Sequence, residues 1–182
     1  VGAHLEYWGM DAAKITEKDW DETHELAPGF VLHTVTGRHF SGRGLLRNKA
    51  LWLSFVLQTP SLQIFIGGDS GYDRHFAEIG QKFGPFDLVI LENGQYNHKW
   101  QQIHLLPEQI LQVALDLKAK RILPVHSGKF ALASHPWDEP LTKITANNEA
   151  LNLPVITPMI GELVELKSND QVFRRWWEEV EQ

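Results

Sequence analysis

The 182-residue chain contains no cysteine. That absence removes a disulfide framework, a thiolate zinc site and a cysteine nucleophile together, and it fits a reducing, cytoplasmic compartment. Positive charge is also scarce: 17 Lys and Arg stand against 23 Asp and Glu, for a formal net charge of −6. Duplex binding usually calls for a basic face, so nucleic acid is not the expected partner. The one basic concentration is Arg38, Arg43, Arg47 and Lys49, readable as a solvated loop or as contact with an anionic substrate. No run approaches the ~20 consecutive apolar residues of a membrane span. The longest, ALWLSFVL and FDLVILE, are strand-sized. The first residues lack a basic-then-apolar secretory pattern, and no strongly basic amphipathic helix marks a membrane surface, so any membrane contact is expected to be peripheral.

What is present is apolar sequence, histidine and tryptophan. With 43% hydrophobic residues, the chain is long enough for one domain, residues 1–182, with a substantial core. Nine histidines offer metal ligands and groups that titrate near neutral pH. The chain begins at Val1 inside structured-looking sequence, so a fragment or a processed product is expected.

Residues 1–29 mix acids with Trp8 and Trp20 without a clear period, although HLEYWG reads as ordered. FVLHTVT (30–36) alternates as a strand does, and the loop GRHFSGRG follows. ALWLSFVLQ (50–58) and LQIFIGG (62–68) are separated by Thr59, Pro60 and Ser61, which predicts a hairpin. RHFAEIGQKFG reads as a short amphipathic helix stopped by Gly84, and PFDLVILEN as a buried strand. Pro107 opens a helix with Ile110, Leu111, Ala114 and Leu117 on one face. RILPVH is the next strand; a helix over Pro136–Leu151, strands at LPVITP and GELVEL, and the tail FRRWWEEVEQ complete a layered α/β pattern.

IFIGGDSGYD (64–73) holds two competing chemistries. Gly-Asp-Ser-Gly surrounds the nucleophile of trypsin-like proteases, but that arrangement needs a histidine and a buried aspartate placed by two β-barrels. Here a helix pattern follows Tyr72, so Ser70 reads as a turn residue bonded to local backbone. Asp69, by contrast, follows a strand, as do His39 and His126. Ligand-type residues just past the C-terminal ends of strands converge on one edge of an α/β sheet. Such nitrogen and oxygen donors suit Zn²⁺, Mn²⁺ or Fe²⁺. Taken singly, a histidine at a strand end is more often a surface or satisfied core residue than a ligand.

The blocks TGRHFSGR (36–43), ALWLSFVL (50–57), FIGGDSGYDRHFAEIGQKFGPFDLVIL (65–91), HLLPEQ (104–109) and LPVHSGKFALASHPWDEP (123–140) resemble the metallo-β-lactamase superfamily. More closely they resemble its branch around N-acyl-phosphatidylethanolamine-hydrolysing phospholipase D. The resemblance implies an αββα sandwich built from a mixed sheet with helices on its outer face. It implies His39 on a first metal, Asp69 bridging two metals, His126 on the second, and His104 as a further active-site histidine. The implied cofactors are two Zn²⁺ ions, with Mn or Fe as substitutes, whose shared hydroxide attacks phosphorus in a lipid-like phosphodiester. A lactonase using the same metals, or a non-catalytic interaction domain, are the alternatives.

His-x-His-x-Asp-His, the superfamily's leading motif, is absent from the 182 residues. The chain therefore resembles the C-terminal half of such an enzyme, with an incomplete metal site and no turnover expected of it alone. A sheet face left uncovered would favour a homodimer or other association. Tyr72 reads as packing behind Asp69 or as a polar handle in the cavity, and His135, with Trp137 and Asp138, as lining the substrate entrance. Ser134 or Asp138 is alternatively a cap of the following helix. Trp52 and Phe55 read as core, and Trp176 and Trp177 as a packed closing helix or a partner contact.

Overall fold

Thr59 to Leu62 reverse the chain: the Thr59 N–H donates to the Leu62 carbonyl, and the Leu62 N–H to the Thr59 hydroxyl, both at 2.9 Å. The computed structural model describes residues 1–42, 45–130, 132–168 and 170–180; Arg43 of the basic cluster lies outside them. Six strands form one sheet in sequential order: β1 (Thr23–Ala27), β2 (Phe30–Val35), β3 (Ser54–Gln58), β4 (Gln63–Ile66), β5 (Leu88–Glu92) and β6 (Ile122–Val125). The first three pairings are antiparallel, and the predicted hairpin is β3–β4. The last two are parallel, because a helix returns the chain each time: α2 (His75–Lys82) between β4 and β5, and α3 (Ile110–Asp116) between β5 and β6. α1 (Gly2–Tyr7) precedes the sheet and α4 (Glu139–Asn148) follows it.

Strand alternation sorts the sheet into two faces. Val56, Phe65 and Val89 are fully buried and Leu91 nearly so, packed with Phe76 and Ile79 of α2 and Ile110, Leu111, Val113 and Ala114 of α3. The opposite face carries Leu57, Ile64, Ile66 and Ile90, all half-buried. On that side a cavity of about 640 Å³ separates α1 from β1–β3, lined in part by Leu5, Leu32 and Phe55. Phe55, expected in the core, is therefore only partly covered, as is Trp52, whose indole N–H donates to the Gly37 carbonyl at 3.1 Å.

Other expectations need correction. The first 29 residues, without a clear period in sequence, hold α1 and β1. Among the described residues, LPVITP forms only an isolated bridge, Val155 to Ile122, because Pro154 and Pro158 cannot donate to a ladder. GELVEL forms no strand; the Arg121 guanidinium takes the carbonyls of Glu165, Leu166 and Ser168 instead. Asp138 sits at the N-cap of α4 but makes no capping bond, and its Oδ1 is buried without a partner. Among its described residues, the tail contributes a single 3₁₀ turn, Trp176–Glu178, in which Trp177 is buried. No helix among the described residues is long and apolar enough to cross a membrane.

Candidate metal centre

Because β4, β5 and β6 run parallel, their C-terminal ends share one edge of the sheet. Asp69 follows β4, Glu92 closes β5 and His126 follows β6. The loop after β2 brings His39 to the same edge, and the segment before α3 brings His104. Two groups of donors form there, with ligand atoms within 4.8 Å of one another: His39, Asp69 and His104, and Glu92, His104 and His126. His126 Nε2 lies 3.5 Å from Asp69 Oδ1, which joins the groups. The His104 ring stands edge-on to His39 at 5.6 Å and stacked with His126 at 5.7 Å.

Second contacts leave the imidazoles ready to bind. His39 Nδ1 is 2.7 Å from the Phe40 carbonyl, so Nδ1 carries the proton and Nε2 keeps its lone pair. His104 Nδ1 lies 3.0 Å from Glu92 Oε2, which frees His104 Nε2 in the same way. The other Glu92 oxygen accepts the Leu105 N–H at 2.5 Å. With a donor on each oxygen, Glu92 orients His104. Burial pushes the Glu92 carboxyl above the usual carboxylate range, against the opposing pull of His104 and Leu105. Burial also disfavours a charged His104, but the hydrogen bond and charge of Glu92, with Asp69 beyond, outweigh it and raise the His104 pKa.

His126 has φ of 70°, outside the usual range for a non-glycine residue. The neighbouring strand end accommodates it: a Cβ on Gly94 would meet the His126 carbonyl oxygen at 1.9 Å, so only glycine permits this approach. Gln95 Nε2 donates to the carbonyls of His126, at 3.3 Å, and Phe130, at 2.8 Å. Strain of this kind at a sheet edge concentrates at functional positions.

His39, Asp69, His104 and His126 are thus brought together, His104 as a member of both groups rather than a neighbour beside them. Tyr72 is engaged elsewhere: its hydroxyl donates to Asp116 Oδ2 at 2.8 Å, and its ring stacks on Phe76. His135 stacks on Tyr96 at 4.3 Å and lines a separate cavity of about 200 Å³ with His98, Glu108 and Lys143. Ser70 is buried; its hydroxyl accepts the Arg38 N–H at 2.9 Å and donates to the Gly71 carbonyl at 3.0 Å, with His75 Nε2 3.3 Å away. Arg47 lies over the Phe40 ring, which stacks on His39. Glu92 was missed in the sequence, although a glutamate closing an apolar strand run was a usable signal.

A family model described as a beta-lactamase superfamily domain matches residues 1–127. An uncharacterized protein of Mycobacterium tuberculosis is 39% identical over 180 residues, 97% of this chain and 48% of its own length. The mitochondrial N-acyl-phosphatidylethanolamine-hydrolyzing phospholipase D of Saccharomyces cerevisiae is 35% identical over 139 residues, 71% of this chain and 30% of that protein. The chain therefore spans about half the length, or less, of these relatives. Among solved structures, the metallo hydrolase Igni18 of Ignicoccus hospitalis superposes with a TM-score of 0.63 at 18% identity, covering 85% of this chain and 60% of that one, which supports the fold. Sheet order, strand-end donors and these matches agree: the chain belongs to the metallo-β-lactamase superfamily and, within it, resembles N-acyl-phosphatidylethanolamine-hydrolysing phospholipase D.

Proposed function

We propose a metal-dependent phosphodiesterase acting on a phospholipid-like ester, with Zn²⁺ as the metal. The observation that carries this is the convergence of His39, Asp69, His104 and His126 from four separate segments onto one sheet edge. Nitrogen and oxygen donors without thiolate suit zinc, manganese or iron. His39, Asp69 and His126 would hold metal, with Asp69 shared, since it is the member in reach of all three imidazoles. Bound metal would supply a Lewis acid for the phosphoryl oxygen and lower the pKa of a water.

The chain's own groups supply the rest. Glu92 fixes the tautomer of His104, whose Nε2 is then placed to hold or give a proton at the leaving oxygen. The lipid-like substrate class rests on the resemblance to the yeast N-acyl-phosphatidylethanolamine-hydrolyzing phospholipase D. The clustered donors among the described residues are too few to close two four-coordinate sites. Residues 1–182 alone are accordingly expected to bind zinc more weakly than nanomolar and to turn over nothing.

The test uses the full-length protein. Metal content is measured first, then hydrolysis of N-acyl-phosphatidylethanolamine and bis(p-nitrophenyl) phosphate beside a lactone panel. Phosphodiester hydrolysis that a chelator abolishes and zinc restores is the expected result. Lactone hydrolysis alone, or activity surviving complete metal removal, overturns it.

A further inference from the structure

We propose that Arg38 is a positioning residue that locks together the three loops carrying His39, Asp69 and His104. The tie between the loops is geometric, and its consequence for metal binding rests on the function proposed above. Arg38 precedes His39, and its backbone is fastened to the turn after β4. Its N–H donates to Ser70 Oγ and its carbonyl accepts the Gly71 N–H, each at 2.9 Å. Its guanidinium reaches further: Nη1 donates to the Tyr72 carbonyl at 3.0 Å and lies 3.4 Å from Asp73 Oδ2, while Nη2 donates to Gln102 Oε1. One side chain thus spans the His39 loop, the turn Asp69–Asp73 and the segment leading to His104.

Turn and segment are also in direct contact. A Cβ on Gly71 would meet the Gln102 carbonyl oxygen at 2.3 Å and that of Gln101 at 2.8 Å, so backbone lies against backbone there. The role is geometric rather than energetic. Side chains of Arg38 and Asp73 are 41% and 50% exposed, and an ion pair that open to water adds little stability. A planar fork that meets a carbonyl, a carboxylate and an amide at once is a property of arginine that lysine does not share. The sequence alone leaves Arg38 as solvated or as an anion contact; the structure turns its fork inward onto the protein.

The test places Arg38→Ala and Arg38→Lys in the full-length protein and reads three quantities: amide hydrogen exchange, zinc affinity by chelator competition, and the thermal midpoint. Exchange is expected to rise together in residues 36–42, 69–73 and 101–104 of R38A. Zinc affinity is expected to fall about 10–100-fold, as for other groups that orient ligands, with the midpoint almost unchanged and no rescue by lysine. Faster exchange confined to 36–42, or zinc affinity equal to wild type, overturns the proposal. Should R38A fail to fold, Ser70→Ala removes the Arg38 N–H tie, together with the hydroxyl's contacts to Gly71 and His75, and leaves the guanidinium contacts in place. It is expected to loosen 36–42 and 69–73 while 101–104 stays protected, and uniform protection throughout would overturn the proposal. A wild-type protein that takes up no zinc overturns the proposed function, and the exchange pattern then still decides the role of Arg38 in the loops.

Discussion

Two carboxylates stand at neighbouring strand ends, and their surroundings separate their roles. The Asp69 side chain, on the turn after β4, is 39% exposed and faces imidazoles. The Glu92 side chain, closing β5, is 1% exposed, with both oxygens engaged by His104 and Leu105. An accessible carboxylate with free lone pairs can accept a metal. A buried one whose two oxygens each already hold a donor is placed to keep its neighbours in position. Residue type alone would have given both the same function.

The sharpest way to break this contrast is Glu92→Ala. It strands His104 Nδ1 and the Leu105 N–H in buried surroundings and is expected to cost about 3–5 kcal/mol, as when one partner of a buried pair is removed. Urea unfolding measures it; wild-type stability in E92A would show that Glu92 holds nothing. Gly94→Ala comes next, because a methyl group would drive into the His126 carbonyl. The expected loss is about 1–3 kcal/mol, the usual range for overpacking, accompanied by weaker zinc binding; an unchanged urea midpoint and affinity would contradict the close approach.

The contrast extends to imidazoles. His75 is buried on α2, whereas His126 is exposed. Burial, with Arg38 adding to it, lowers the His75 pKa, and Asp73 and Glu78 only partly oppose this. The unfolded chain therefore takes up the proton first as pH falls. The stability from keeping His75 neutral is complete above the ordinary histidine value of about 6.5 and declines as pH drops through it toward the lower folded value. His75→Gln is expected to flatten the change in urea midpoint between pH 8 and pH 5.5, a smaller effect than the two above. Parallel slopes for wild type and variant would remove His75 from the account.

How much of this was legible follows from how far each feature depends on distant residues. β2, the β3–β4 hairpin, β5 and β6 could be read because their patterns are local, and with them the strand ends bearing Asp69 and His126. Asp69 was likewise legible over Ser70, since a carboxylate at a strand end is a local feature of the sequence. Glu92 escaped because its identity as a buried hydrogen-bond hub depends on His104, twelve residues on and across a loop. The Arg38 ties reach residues 32, 34 and 64 positions away. GELVEL has strand-like composition, but its expected ladder carbonyls are claimed by Arg121, 44 and more positions earlier. The tie of Tyr72 to Asp116 is equally non-local.

The most direct measurement is a zinc titration of the full-length protein beside its Asp69→Asn variant, with urea unfolding of both in the absence of metal. The amide in D69N keeps the shape of the carboxylate but loses the negative charge that strengthens metal binding. Zinc affinity is expected to fall at least 10-fold, while metal-free stability stays within about 0.5 kcal/mol of wild type, as for a surface substitution. Equal zinc affinity in the two proteins would contradict Asp69 as the shared ligand and, with it, the metal centre at this sheet edge.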